Sequence, residues 1–280
     1  PEVNAFLKPY REGERLFNLQ TAAGYREAIA QFEAALASAE QVGATDGVAA
    51  AALYLGVTHH QLGERRASLE RYEIALAAFQ ALGNRELEAR TLSNMGTVYS
   101  RLGDRRTALE HHERAIAIHE ESGERANEAA ALNNAGSVYD RLGDREAALD
   151  YYERALAIAR ETNDRPGEAI VLSNIGLVYD NLGDREAALD YYERALPILR
   201  DVGDRAGEAI ALGNTGAVYT TLGQVDRALE SFEAALAIQQ EVGARGEEAG
   251  TLTSIGSAYN ALGDRRSEEH TSELQSPDHL

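Results

Sequence analysis

The chain has 280 residues, 44% of them hydrophobic, with 5 Pro, 25 Gly, no Cys and no Trp, and its 27 Lys plus Arg against 46 Asp plus Glu give a formal charge of −19. That apolar content excludes a wholly disordered acidic chain or a low-complexity polymer, and the negative balance argues against nucleic acid or an anionic membrane surface as a partner, since both demand a basic face. Absence of cysteine removes disulfides, thiolate metal sites and thiol nucleophiles and suits a reducing, cytoplasmic setting, and no run of about 18 apolar residues predicts a membrane span.

Taken from the N-terminus, residues 1–43 read as a degenerate helical hairpin that caps the rest of the chain, with Gly24 one position out of phase. From residue 44 the sequence repeats. Leu-Gly recurs at Leu62-Gly63, Leu102-Gly103, Leu142-Gly143, Leu182-Gly183, Leu222-Gly223 and Leu262-Gly263, a step of 40 residues. Half a repeat away stand Gly43, Gly83, Gly123, Asn163, Gly203 and Gly243, and Asn is the residue next best able to take the left-handed conformation that ends a helix. The repeats fall at 44–83, 84–123, 124–163, 164–203 and 204–243, with 244–265 truncated.

Apolar spacing inside a repeat is helical. Leu132, Ala135, Gly136, Tyr139 and Leu142 share one face, then Ala148, Leu149, Tyr152, Ala155, Leu156 and Ile158 share another. This predicts helix A at about 125–142 and helix B at about 145–161, with Asp144 as the second helix's cap and Asp104, Asp184 and Asp264 as its counterparts. Gly56, Gly96, Gly136, Gly176, Gly216 and Gly256 lie inside helix A, where Gly costs about 1 kcal/mol relative to Ala. Close packing against Ala108, Ala148, Ala188 and Ala228 of helix B is the expected reason.

The pattern fails after Asp264. Where a further helix B would bring a small residue, an aromatic and Ala, the chain has Glu268, Ser272 and Gln275. Residues 266–280 are expected to be a non-native or disordered tail, and RSEEHTSELQS resembles the translation of a sequencing-library adapter. On that reading the last helix A exposes Leu252, Ile255, Tyr259 and Leu262.

Met95-Gly96-x-x-Tyr99 in helix A, followed by small, aromatic and Ala positions in helix B (Ala148, Tyr152, Ala155), resembles the tetratricopeptide repeat, in the 40-residue form of kinesin light chains and spindle-orientation adaptors. The resemblance covers about 25–265 and implies an all-α fold, a right-handed solenoid of antiparallel helix-turn-helix hairpins. The chain departs from it in lacking the terminal Pro and in placing His59 and His112 at aromatic positions.

Little in the chain promises catalysis. The doublets His59-His60 and His111-His112 point about 100° apart on a helix and cannot both aim at one ion, and no metal site or cofactor is expected. Asp144, Glu146, Asp150 and Glu153 recur one repeat later, so they read as solvated helix surface rather than a catalytic pair. No Gly-rich phosphate loop occurs. The expectation is a protein without enzymatic activity.

Function is therefore sought on the inner face of helix A. Asn94, Asn134, Asn174 and Asn214 form a ladder there, and a carboxamide both donates and accepts, which suits an extended peptide backbone. The resemblance places peptide-binding asparagines at these positions; tying neighbouring helices together is the other role open to them. Flanking residues vary: Arg90, Arg101 and Arg141 with Asp140 in the first part, Ile170, Leu177, Asp180, Asn181, Ile210 and Ala217 farther along. The expected partner is a protein or peptide with an extended segment, acidic toward the first repeats and apolar toward the fourth and fifth. Other readings are a regulatory arm of a larger caspase-like peptidase, signalling ATPase or transcription regulator, contacting a missing domain of its own chain, and a receptor for a short free peptide.

Overall fold

The computed structural model describes residues 3–274, with side chains over 6–261 and at 263, and contains thirteen α-helices and no strand among them. In order these are α1 (Val3–Phe17), α2 (Ala22–Val42), α3 (Thr45–Gln61), α4 (Arg65–Leu82), α5 (Arg85–Leu102), α6 (Arg105–Ser122), α7 (Arg125–Leu142), α8 (Arg145–Glu161), α9 (Arg165–Leu182), α10 (Arg185–Val202), α11 (Arg205–Thr221), α12 (Val225–Val242) and α13 (Arg245–Leu274). Two compact units, Pro1–Ile158 and Ala159–Leu280, divide within α8.

Each unit is a stack of hairpins. In the first, α2, α4 and α6 fold back on α1, α3 and α5 and also pack on the next hairpin's first helix, while α1, α3, α5 and α7 touch in succession. In the second, α10 and α12 do the same for α9 and α11, and α9, α11 and α13 touch in succession. The first helices therefore form one wall of each unit.

The turns are set by the punctuation residues. Gly143 closes α7 at φ 85° and Asn163 takes φ 54°, so asparagine serves where the other repeats use glycine. Asp104, Asp144 and Asp184 accept hydrogen bonds from the backbone N–H of Thr107, Ala147 and Ala187, which caps the helices that begin there.

The internal glycines have a different partner from the alanines expected. A Cβ added at Gly56, Gly96, Gly136, Gly176 or Gly216 would lie 2.4, 2.7, 2.8, 2.8 or 2.7 Å from the ring of Tyr72, His112, Tyr152, Tyr192 or Phe232. Glycine is favoured because an aromatic ring of the second helix lies against the backbone of the first, in the space a Cβ would take. These rings are the buried centre of each hairpin.

Successive hairpins are stapled by a buried carboxylate that the sequence reading does not single out. Glu88, Glu128, Glu168 and Glu208 are all buried near the start of a first helix. Glu168 accepts from Arg165 at 2.6 Å and from Arg160 at 2.9 Å, and Glu208 is held by Arg205 and by Arg200 at 2.7 Å. Glu88 accepts from Gln80 at 3.0 Å and Arg85 at 2.7 Å. Burial pushes the Glu168 carboxyl up, but the two guanidinium partners more than offset this and its pKa lies below the usual carboxylate value.

The last helix is longer than its counterparts. Instead of stopping near Gly263, α13 runs unbroken to Leu274, so residues 266–274 are helical and Asp264 lies inside a helix rather than at a cap; the rest of the predicted tail, 275–280, is outside the described residues. Gly263 is not left-handed, and Gly256 has nothing within 4 Å of its Cβ position. With Ser272 at the ring position and Glu268 at the small one, the sequence offers no surface to draw the chain back onto α13, and helix propagation continues. Leu252 and Tyr259 are about half exposed, whereas Ile255 packs against α12 residues; the Leu262 side chain is outside the described set.

Candidate peptide-binding face

Helical spacing sets Asn94 and Asn134 at the same register of α5 and α7, and Asn174 and Asn214 at the same register of α9 and α11; all four are half-buried. In the first unit Arg90, Arg101 and Arg141 are exposed around them. Among the described residues none of these three guanidiniums makes an ion pair, in contrast to Arg85, Arg125, Arg165 and Arg205. In the second unit Ile170, Leu177 and Ile210 are 47%, 38% and 58% exposed, an apolar row beside Asn174 and Asn214.

The two aspartates expected on the groove differ in their surroundings. Asp180 is paired with Arg185 at 2.6 Å, and Arg185 also donates to its backbone carbonyl, which ties the end of α9 to the start of α10. Asp140 is partly buried, and its Oδ1 lacks a hydrogen-bond partner. Asn181 is exposed at the end of α9.

The ladder also meets the core. Asn214 lies beside the buried Tyr192 hydroxyl, which has no hydrogen bond of ordinary geometry. At the same spacing of 22 residues, Asn134 and His112 line one notch. Asn134 and Asn214 thus stand between a core ring and the open face, so a tie to the neighbouring helix and contact with a ligand would draw on the same side chain.

That notch, of about 170 Å³, is bounded by Thr97, Ser100, Arg101, Asn134, Ser137 and Arg141, with His112 as its floor. A second, of about 220 Å³, lies between α11 and α13 over Phe232, bounded by Ala217, Thr220, Thr253, Ser254 and Ser257. Ala217, Thr220, Phe232, Ser254 and Ser257 stand 120 residues, or three repeats, after Thr97, Ser100, His112, Asn134 and Ser137. Both notches open where the core ring carries no phenol hydroxyl. A further hollow, about 750 Å³, is lined by α1 and α2 residues, among them Arg15, already bound to Glu12 at 2.6 Å.

The histidines are used for packing. His112 is 1% exposed, and burial, aided by His111, pushes its pKa down to about 4, so the ring is neutral at pH 7. His111 stacks on Tyr99 with centroids 5.2 Å apart, and His59 Nδ1 lies 2.6 Å from a Glu64 carboxylate oxygen. Among the described residues no group of three His, Asp or Glu is placed to hold one ion. Nor is any helix there long and apolar enough to cross a membrane.

Tetratricopeptide-repeat family models match residues 47–121, 87–161 and 127–201, and a further one matches 209–242. The chain belongs to the tetratricopeptide-repeat family. No curated protein matches it by sequence. Among solved structures this tetratricopeptide-repeat protein is similar to BtubC (BKLC) from P. vanneervenii, with a TM-score of 0.62 at 24% identity over 87% of this chain and 92% of that one. It is also similar to a Rap protein complexed with competence and sporulation factor, with a TM-score of 0.65 at 15% identity over 94% and 77%. A third likeness is to a signal transduction ATPase with numerous domains from Pyrococcus horikoshii, which carries a tetratricopeptide repeat sensor: TM-score 0.68, 16% identity, 92% of this chain and 47% of that one. At these identities the likeness is one of fold. As a protein-interaction repeat scaffold, the tetratricopeptide-repeat chain presents one exposed wall per unit.

Two features escape the sequence reading although their signals are present. The buried glutamates recur at a strict 40-residue period from Glu88, but surface carboxylates do so as well, and periodicity alone does not separate them. The notches are visible as His112 and Phe232 interrupting a column of Tyr72, Tyr152 and Tyr192.

Proposed function

We propose that the wall of first helices in each unit binds an extended peptide segment of a partner protein, with Asn94 and Asn134 in the first unit and Asn174 and Asn214 in the second holding its backbone. The observation that carries this reading is the ladder itself: half-exposed carboxamides at one register on four first helices, beside residues that vary from repeat to repeat. Amides that repeat along a ligand suit amides that repeat along a receptor. A solved structure of the Rap conjugation gene regulator of the plasmid pLS20 in complex with the Phr* peptide shares the fold and supports a peptide as the ligand class.

Arg90, Arg101 and Arg141 give the first unit a preference for acidic residues, while Ile170, Leu177 and Ile210 give the second a preference for apolar ones. The chain acts by recruitment rather than catalysis, in the cytoplasm, and takes neither nucleic acid nor membrane as partner. A panel of extended peptides tests this against the wild type and Arg101→Glu/Arg141→Glu. Acidic peptides bind the wild type and basic peptides gain in the variant; equal affinity for both kinds in both proteins contradicts it.

One observation favours a second reading, that the chain is the sensor arm of a larger signalling protein contacting another domain of its own. Its fold matches a signal transduction ATPase of which it spans about half the length. A catalytic domain encoded in frame beside these repeats selects that reading.

A further inference from the structure

Independently of the peptide reading, we propose that the uncovered face of α13 is a pairing surface for a second copy of this chain, with two α13 helices lying antiparallel about a two-fold axis near residues 257 and 258.

The neighbouring hairpins show what α13 lacks. In α11 the residues Ala209, Leu212 and Gly216 are buried, and the Phe232 ring of α12 fills the space at Gly216. The same positions of α13 are Ala249, Leu252 and Gly256. Ala249 is exposed, Leu252 is 51% exposed, and nothing lies within 4 Å of a Cβ at Gly256. Tyr259 differs from its counterparts in the same way. Tyr139 and Tyr179 lie against Tyr151 and Tyr191 of their own second helices, and Tyr219 against the Arg227 guanidinium, whereas Tyr259 is 52% exposed. Because α13 runs unbroken to Leu274, no second helix among the described residues folds back over this face. A contiguous apolar face of this kind is a place where association recovers free energy.

The pattern on the face says what covers it. Its residues are Ala249, Leu252, Gly256, Tyr259 and Gly263, alternately three and four apart, which is the seam spacing of paired helices. Large and small side chains also complement each other along it. In an antiparallel pair, the register that sets Leu252 opposite the partner's Gly263 also sets Tyr259 opposite the partner's Gly256, because both pairs share one midpoint. Each copy thus gives two side chains and receives two. A ring seated on a helix glycine, between antiparallel helices, is also the contact that closes the chain's own hairpins. A parallel pair would instead set glycine on glycine and leave a void. The Tyr259 hydroxyl donates to Glu233 at 3.3 Å, which holds the ring in place before pairing. Charge agrees: Glu247 and Glu248 open α13, and antiparallel pairing brings the register of Arg265 and Arg266 alongside them. An isologous contact of this kind closes at two copies. The seam from 249 to 263 is only about 21 Å long, so the dimer is reversible rather than obligate.

Sedimentation velocity of the full chain over a concentration series tests this. A monomer–dimer equilibrium is expected. Leu252→Glu puts a charge in the seam, and Gly256→Leu fills the space the partner's ring needs. Both positions are open in the single chain, so circular dichroism should match the wild type while the dimer dissociation constant rises at least about tenfold, equivalent to about 1.4 kcal/mol. Gly250→Ala, off the seam, should leave it unchanged. The chain has no Cys, so introduced thiols report the register. An oxidised mixture of Leu252→Cys and Gly263→Cys chains should give a mixed disulfide. Leu252→Cys alone should not link, since its two thiols would stand about 16 Å apart along the pair. A wild type still monomeric at about 100 μM would leave the face to a helix of another protein and overturn the inference. A dimer that neither substitution weakens, assemblies larger than two, absence of the mixed disulfide, or self-linked Leu252→Cys chains would overturn it as well.

Discussion

Two glycines three residues apart on α11 should respond to alanine in opposite directions. At Gly216 the new Cβ would lie 2.7, 2.8 and 3.0 Å from Phe232 ring atoms, against an optimum of about 3.5–4.0 Å for carbon contacts. The ring is buried among Tyr219 and Ala228 and has little room to retreat. Overpacking of this kind costs about 1–3 kcal/mol, offset by about 1 kcal/mol of helix propensity, for a net loss of up to about 2 kcal/mol. At Gly213 nothing lies within 4 Å, so Gly213→Ala should retain the propensity gain of about 1 kcal/mol. Urea unfolding followed by far-UV circular dichroism reads both, and the midpoints should move to either side of the wild type. A stabilising Gly216→Ala, or shifts of the same sign, would refute the claim that ring contact and not chance keeps glycine in these helices.

Two further outcomes rest on the same packing. The folded chain holds His112 at a pKa of about 4, below the free imidazole value of about 6.5, so between these pH values the unfolded chain binds more protons. The resulting stability is fully present above about pH 6.5 and is lost as pH falls toward 4, a contribution of up to about 3 kcal/mol. His112→Tyr should therefore lose less thermal stability than the wild type between pH 7.5 and pH 5, and parallel losses would count against a buried neutral imidazole. Replacing the chain after Asp264 with the sequence of residues 145–161 should bring a tyrosine onto Gly256 and raise the thermal midpoint; an unchanged midpoint would mean that α13 needs no second helix.

Much of the fold is legible because its signals are local. Left-handed Asn163 and the Asp104, Asp144 and Asp184 caps can be read from turn chemistry at single positions. What touches the internal glycines cannot be read this way, because Ala148 and Tyr152 both lie on the inward face of one helix and only coordinates show which one reaches Gly136. The candidate face divides along the same line. Exposure of Arg90, Arg101, Arg141 and Leu177 is set by helical period, whereas the pairing of Asp180 with Arg185 depends on how the chain turns into α10. The run of α13 to Leu274 escapes a reading of single positions, because Gly263 ends a helix only where a packing partner draws the chain back.

The most direct measurement of the central claim is asparagine-selective ¹⁵N labelling, with side-chain amide resonances followed while a peptide selected from an extended-peptide library is added. Peptide binding along the wall of first helices predicts that the amides of Asn94, Asn134, Asn174 and Asn214 shift together and saturate at one affinity, with Asn127 and Asn163 unmoved. A saturating peptide that shifts Asn127 or Asn163 and leaves those four in place would contradict it.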